Sequence, residues 1–285
     1  TRPQSLLDLG ITALLSGAAF VLYLLTLAPT LLAGDGGEFQ FVPYLLGVAH
    51  PTGYPLYCLL GWAWTHLLPL GDVAYRMNLF SAFWAALAVG LVYPLVCLLL
   101  PTHLFSPPLL CRLVAIWAAS SFAVTPTLWS QAVIAEVYGL HTFLIVLLLY
   151  LLLRWADRRT ATTWFAAAGC FGFGLAHHRT TLLLAPALLA FVWWTDRRVF
   201  RNRPAMARAV LFLVLPLTLY LYIPWRAPHT PYLRLPLTGS QELVLYENTP
   251  SSWLDFVLGG PFGGSLDFSV DLGQRLAMTW ALLLR

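Results

Sequence analysis

The hexapeptide Gly34-Asp35-Gly36-Gly37-Glu38-Phe39 sets two carboxylates three residues apart, directly behind an apolar run from Leu9 to Ala28 that carries no charge. Such a pair can accept a proton, ligate a cation or cap a helix. An ionisable group at a bilayer is costly unless water, a partner or a substrate compensates, so acids in this setting are candidates for function. The two glycines after Asp35 permit positive φ and close backbone approach, as a tight turn or a substrate contact requires. The spacing of Asp35 and Glu38 also fits a capping box on a short helix from about Glu38 to Leu46, a task that serine or threonine performs as well.

Further chemistry-bearing residues recur downstream. His50 stands in the turn His50-Pro51-Thr52-Gly53-Tyr54-Pro55, where it can support Asp35, contact a substrate or serve only as structure. Glu136 interrupts an apolar stretch, with Gln131, Tyr138 and His141 near it at helical spacings. Such a face can line a cavity and bind sugar hydroxyls, or the acid can simply favour a helix start. His177-His178-Arg179 joins two short apolar arms, and Arg76 and Arg226 stand at the ends of others. An arginine fork gives a phosphate two hydrogen bonds and a permanent charge, whereas headgroup snorkelling is the plainer use for Arg76 and Arg226. Asp35, Glu38, His50, His177 and His178 could together take a divalent metal, but their spacing is no metal signature and ranks below direct acid–base chemistry.

The elements that must position these groups are membrane spans. The chain has 285 residues, of which 59% are hydrophobic and 10% charged, against about 25% charged in soluble domains. Apolar segments run at Leu9–Ala28, Met77–Leu100, Leu113–Ala135, Val137–Leu153, Ala161–Ala176, Thr180–Thr195 and Ala209–Trp225. The first is longer than a signal-peptide core of roughly 7–15 residues and lacks an A-x-A site before Asp35, so it is expected to be an uncleaved anchor. The four cysteines, Cys58, Cys97, Cys111 and Cys170, form no C-x-x-C pair and indicate neither a disulfide framework nor a zinc site.

All sixteen basic residues are arginine and the net charge is +4. They sit in short loops rather than along a stripe, which speaks for topology and against nucleic acid. Arg154, Arg158 and Arg159 form one cluster, and Arg197, Arg198, Arg201, Arg203 and Arg208 another, both cytoplasmic by the positive-inside rule. The arms between them, about 16 residues each, must then be a hairpin with His177-His178-Arg179 at its outer tip. Counting back places Ser130–Glu136 outside, Pro101–Pro108 inside, and Asp72–Arg76, Asp35 and Glu38 outside. That parity leaves Pro55–Leu70 as an interfacial helix on the outer leaflet.

The ordered motifs GDGGEF, GVAHPTGYPLY, GDVAYRMNLFSA, WSQAVIAEVYGL and GLAHHRTTLLLAPALL resemble the transmembrane protein 260-like family, related to protein O-mannosyltransferases. The resemblance covers about Leu6 to Arg226. Downstream the chain departs from the family, with a stretch around Pro236–Glu247 in place of an Asn-Trp-Gly-Asp-Pro element. That family is similar to the GT-C glycosyltransferases, multi-span enzymes that use a polyprenyl-phosphate-linked sugar. The resemblance implies an all-α polytopic membrane protein, a GT-C-like bundle of about seven complete transmembrane helices with an outer loop carrying interfacial helices. The module would span 1–225, with its first outer loop at about 29–73, an ordered outer loop at 226–274, and the start of a further span at 275–285 that leaves the chain looking truncated.

It further implies an inverting membrane glycosyltransferase that moves a sugar, mannose among the candidates, to a protein or glycan hydroxyl. Asp35 is then the general base and Glu38 orients acceptor or base, with the two roles exchangeable. His50, Tyr54, Arg76, Asn78, Gln131, Glu136, Tyr138, His177, His178, Arg179 and Arg226 are the expected substrate contacts. The implied partners are a polyprenyl-phosphate-linked sugar, a protein or glycan acceptor and membrane lipid, with no cofactor and no nucleic acid. The implied location is a plasma or inner membrane with the active face periplasmic or extracellular. A lipid or lipid-linked-sugar transporter, or a non-catalytic scaffold subunit, is the alternative.

Overall fold

The computed structural model describes residues 5–100, 108–237, 239, 241–261, 273, 277 and 279–281. Most of the expected inner loop Pro101–Pro108, the end of the expected outer loop at 226–274 and most of the expected further span at 275–285 lie outside the described residues. Among the described residues α-helices follow in the order α1 Leu6–Leu25, α2 Asp35–Phe41, α3 Pro55–Leu67, α4 Val73–Leu99, α5 Pro108–Ala123, α6 Pro126–Ala132, α7 Tyr138–Arg158, α8 Ala161–His177, α9 Ala185–Asp196, α10 Arg203–Val214, α11 Tyr222–Arg226 and α12 Pro250–Leu258. A two-stranded antiparallel ribbon, β1 Arg234–Pro236 with β2 Glu242–Val244, precedes α12.

Among the described residues, four helical stretches are long and apolar enough to cross a membrane: α1, α4, α7 and the run Arg203–His229 that begins with α10. A fifth arises if α5 and α6, bent by 60°, count as one span. The expected continuous segment Leu113–Ala135 is therefore corrected to a broken one. Pro126 pushes the residue before it out of the helical region, and Thr125 accordingly adopts φ −62°, ψ 132°. The arms α8, with 17 residues, and α9, with 12 residues behind a 3-10 turn at Arg179–Leu184, are short. At 1.5 Å per residue α3, with 13 residues, reaches about 20 Å, less than the ~30 Å hydrocarbon core, in keeping with a helix that does not cross.

Helix α4 is the centre of the bundle and packs against α1, α5 and α7, while α8 joins α7 to α10. Its buried Ala82, Ala85, Ala86 and Ala88 keep neighbouring backbones close, the usual device where lipid removes the hydrophobic drive between helices. At one end, the Asp8 carboxylate accepts from Tyr93 Oη at 2.8 Å and Arg112 Nε at 2.9 Å, tying α1, α4 and α5 together. Chain direction puts both arginine clusters at that end, where Arg159 meets Asp196 at 3.6 Å. The connections carrying Asp35, His50, Glu136 and His178 lie at the other. Past α11, Trp253 of α12 donates from Nε1 to Tyr220 O at 3.0 Å and ties α12 to the bundle.

Candidate active site

Helix α2 begins at Asp35 and ends at Phe41, earlier at both ends than the sequence indicates. Gly34 sits at φ 72°, ψ −149°, a region essentially open only to glycine, and turns the chain into the helix. Positive φ thus belongs to the glycine before Asp35. Gly37 serves close approach instead, since a Cβ there would stand 2.5 Å from Leu32 O. Neither acid caps the helix, for Gly34 receives no side-chain cap bond. The Asp35 side chain is exposed at the first helical position.

Glu38 reaches twelve residues ahead. Its Oε1 accepts from the His50 N–H at 2.7 Å, and its Oε2 lies 2.6 Å from His50 Nδ1. Burial lowers the pKa of His50, but the Glu38 hydrogen bond and the charges of Glu38, Asp35 and Glu136 outweigh it and raise the value above its ordinary one. One ligand atom from each of Asp35, Glu38 and His50 falls within 4.8 Å of the others, so these three residues could hold a divalent cation. His177 and His178 are not in that group.

The residues behind Asp35 are fixed by a buried amide pair. Gln40 Nε2 donates to Asn78 Oδ1 at 2.9 Å, and its Oε1 accepts from Leu32 N–H at 3.1 Å. Asn78 Nδ2 donates to Ala28 O at 2.7 Å, while its Oδ1 also accepts from Ala135 N–H at 2.9 Å. Asn78 therefore braces α1, the approach to α2, and the Glu136 segment from within, and does not face a substrate. Asn78→Leu orphans several buried partners and should lower stability by about 3 kcal/mol, read as a fall in thermal midpoint in detergent.

Rings then continue from His50 across the site. His50 and Tyr54 have centroids 5.3 Å apart, Tyr54 and His178 6.1 Å, His178 and Tyr138 5.8 Å, and His178 and His141 4.8 Å. Burial pushes the Tyr54 phenol up to about 12, so it remains a hydroxyl donor at neutral pH. Burial, and then the Arg179 charge, lower the His178 pKa and favour the neutral imidazole. Its Nδ1 lies 2.7 Å from Thr180 Oγ1, which lies 3.2 Å from His141 Nε2. His177 is fully buried, with Nε2 2.9 Å from Val137 O, and is a packing residue of the wall. Glu136 is half-buried between α6 and α7, its N–H donating to Ser81 Oγ at 3.1 Å. Burial and the charge of Asp35 raise its pKa.

The arginines differ. Arg179 is exposed and spends one donor on Leu258 O at 3.3 Å. Arg76 donates to Thr65 O, Leu70 O and Gly71 O at 2.7, 3.2 and 3.0 Å and holds the end of α3. Arg226 donates to Leu46 O and Leu45 O at 2.7 and 3.3 Å and clasps the turn after α2. Gln131 and Tyr138 line a neighbouring cavity of about 520 Å³ with Phe122, Thr125 and Thr142.

The profile of the family described as Protein O-mannosyl-transferase TMEM260 N-terminal domain matches residues 35–200, from the first acid through α9. The chain belongs to this family. It is 32% identical over 234 residues to "Protein O-mannosyl-transferase TMEM260" of Mus musculus, covering 81% of this chain and 30% of the relative. It is 25% identical over 225 residues to "Protein O-mannosyl-transferase tmem260" of Dictyostelium discoideum, covering 71% of this chain and 26% of the relative. The chain thus spans less than a third of the length of either. No solved structure gives a significant match.

Sequence reasoning missed Gln40, whose buried amide organises the segment leading to Asp35. The signal is present: a lone amide between Phe39 and Phe41 within an apolar context. It also missed Thr180, which links His141 to His178.

Proposed function

We propose that this chain is the membrane module of a GT-C-type glycosyltransferase that moves a sugar, with mannose the first choice, from a polyprenyl phosphate to a protein or glycan hydroxyl. The observation that carries this reading is the exposed Asp35 at the head of α2, close enough to Glu136, His50 and Tyr54 to act on their charges, in a chain whose relatives are named O-mannosyl-transferases. In the seven-crossing reading, α8 and α9 form a short hairpin that carries His178 and Arg179 into the site. The active face is periplasmic or extracellular, on a plasma or inner membrane, as the arginine distribution argues.

The acceptor oxygen attacks the anomeric carbon and forms the new glycosidic bond as the bond to the phosphate oxygen breaks on the opposite face, inverting the centre. The acceptor proton passes to Asp35, and the electron pair leaves with polyprenyl phosphate. Arg179 retains donors for that phosphate. Tyr54, Tyr138 and Glu136 offer donors and acceptors to sugar hydroxyls, while Glu38 acts through His50 as a positioning residue. Arg76 and Arg226, whose donors are largely taken by backbone carbonyls, shape the loop that surrounds the site. The reading ranks direct acid–base chemistry by Asp35 above a cation held by Asp35, Glu38 and His50, and the chelator arm of the test separates the two.

The test is polyprenyl phosphate release by the purified chain, supplied with polyprenyl-phosphate mannose and acceptor polypeptide. Product should appear with inverted linkage and persist in a metal chelator. Loss of turnover in chelator, restored by a divalent ion, would transfer Asp35, Glu38 and His50 to metal binding. No turnover with any lipid-linked sugar would favour a transporter or scaffold. In a transporter, broken helices lie near the bilayer midplane; here the break between α5 and α6 lies toward the end that carries the acids.

A further inference from the structure

The opposite end of the bundle holds features that sugar transfer does not use. Between α7, α8, α9 and α10 lies a cavity of about 290 Å³, walled by Leu148, Trp164, Leu188, Val192, Phe200 and Met206 among others. Its lining side chains are all aliphatic, aromatic or thioether. A second cavity, of about 330 Å³, is lined by Trp193, Trp194, Thr195, Asp196, Arg197 and Arg198. The two meet where the Trp193 and Phe200 rings pack with centroids 5.9 Å apart.

Charge decides what fits. Arg197, Arg198, Arg201, Arg203 and Arg208 are all exposed, and none is in an ion pair among the described residues. Asp196, which precedes them in sequence, pairs with Arg159 and accepts from the Arg198 N–H. Five unneutralised guanidinium groups beside a slot for an aliphatic chain complement an anion with an apolar tail. Exposed Trp193 and Trp194 are residue types enriched at the membrane–water boundary. The donor's own tail is a poorer occupant, since its sugar must sit at Asp35, at the far end.

We propose that this end of the protein binds one anionic phospholipid, with an acyl chain in the α7–α10 cavity and the phosphate against Arg197 and Arg198. Basic sites between transmembrane helices on the cytoplasmic side favour anionic headgroups, at about 5-fold per arginine in affinity. The site is independent of the transfer reaction.

Native mass spectrometry of the purified chain, equilibrated in mixed micelles of phosphatidylglycerol and phosphatidylcholine, reads the preference directly. One phosphatidylglycerol should be retained over phosphatidylcholine. An R197Q/R198Q double variant should lose about 25-fold of that preference, following the per-arginine factor, and Ala168→Trp should block retention by filling the cavity while the arginines remain. Thermal melts check that each variant is folded; the double variant changes only exposed side chains and decides the matter if Ala168→Trp does not fold. Equal retention of the two lipids, or a preference unchanged in the double variant, overturns the proposal. So does polyprenyl phosphate displacing the bound lipid at equal concentration, which would make the cavity a donor-tail site.

Discussion

Asp35→Asn is expected to lower turnover roughly 100- to 10,000-fold, the range for loss of a positioned general base. The substitution is nearly isosteric, and Asp35 makes no cap bond that the amide would lose. Helix α2 should therefore form as before, and donor affinity should change little, so the defect should fall on kcat and not on KM. Asp35→Glu, which restores a carboxylate on a longer arm, should recover part of the rate. Unchanged turnover in Asp35→Asn, measured as polyprenyl phosphate release with acceptor present, would end the assignment and move the base role to Glu38. A large rise in donor KM with kcat intact would make Asp35 a binding group instead.

How far the sequence reaches depends on the range of the interaction concerned. Hydropathy is a local sum, and it locates α1, α4 and α7 within a few residues. It does not see the break at Thr125, because Pro126 acts through backbone sterics while the surrounding composition stays apolar. Charge parity works over longer range: it groups Asp35, Glu136 and His178 at one end and both arginine clusters at the other, an arrangement the Arg159–Asp196 contact supports. What parity cannot supply is the partner of each group at that end. Arg76 and Arg179 look alike in sequence, yet one has three carbonyls within reach and the other, exposed, donates to Leu258 O. The same holds for Glu38, where spacing points to its own helix terminus and the structure pairs it with His50.

That pairing yields a prediction with a pH signature. Glu38→Gln removes the charge that orients His50, and on the order of 100-fold in kcat should be lost if the loop beside Asp35 shifts by about 1 Å. His50→Gln should give a defect of similar size, and the two together little more than either alone, because both act through one contact. The sign of the stability effect follows from the raised His50 value. A group whose pKa is higher folded than unfolded stabilises fully below its unfolded value, about 6.5 for histidine, and loses that contribution as pH rises through the folded value. The gap in thermal midpoint between wild type and Glu38→Gln should accordingly be widest at pH 6 and narrow as the solution becomes alkaline. A gap constant across that range would mean that Glu38 holds the loop through the His50 N–H alone, and the imidazolium pairing would fall. A gap that shrinks while kcat stays low at every pH would separate two effects of one carboxylate: the ring contact contributes stability, and the backbone bond fixes where Asp35 meets its substrate.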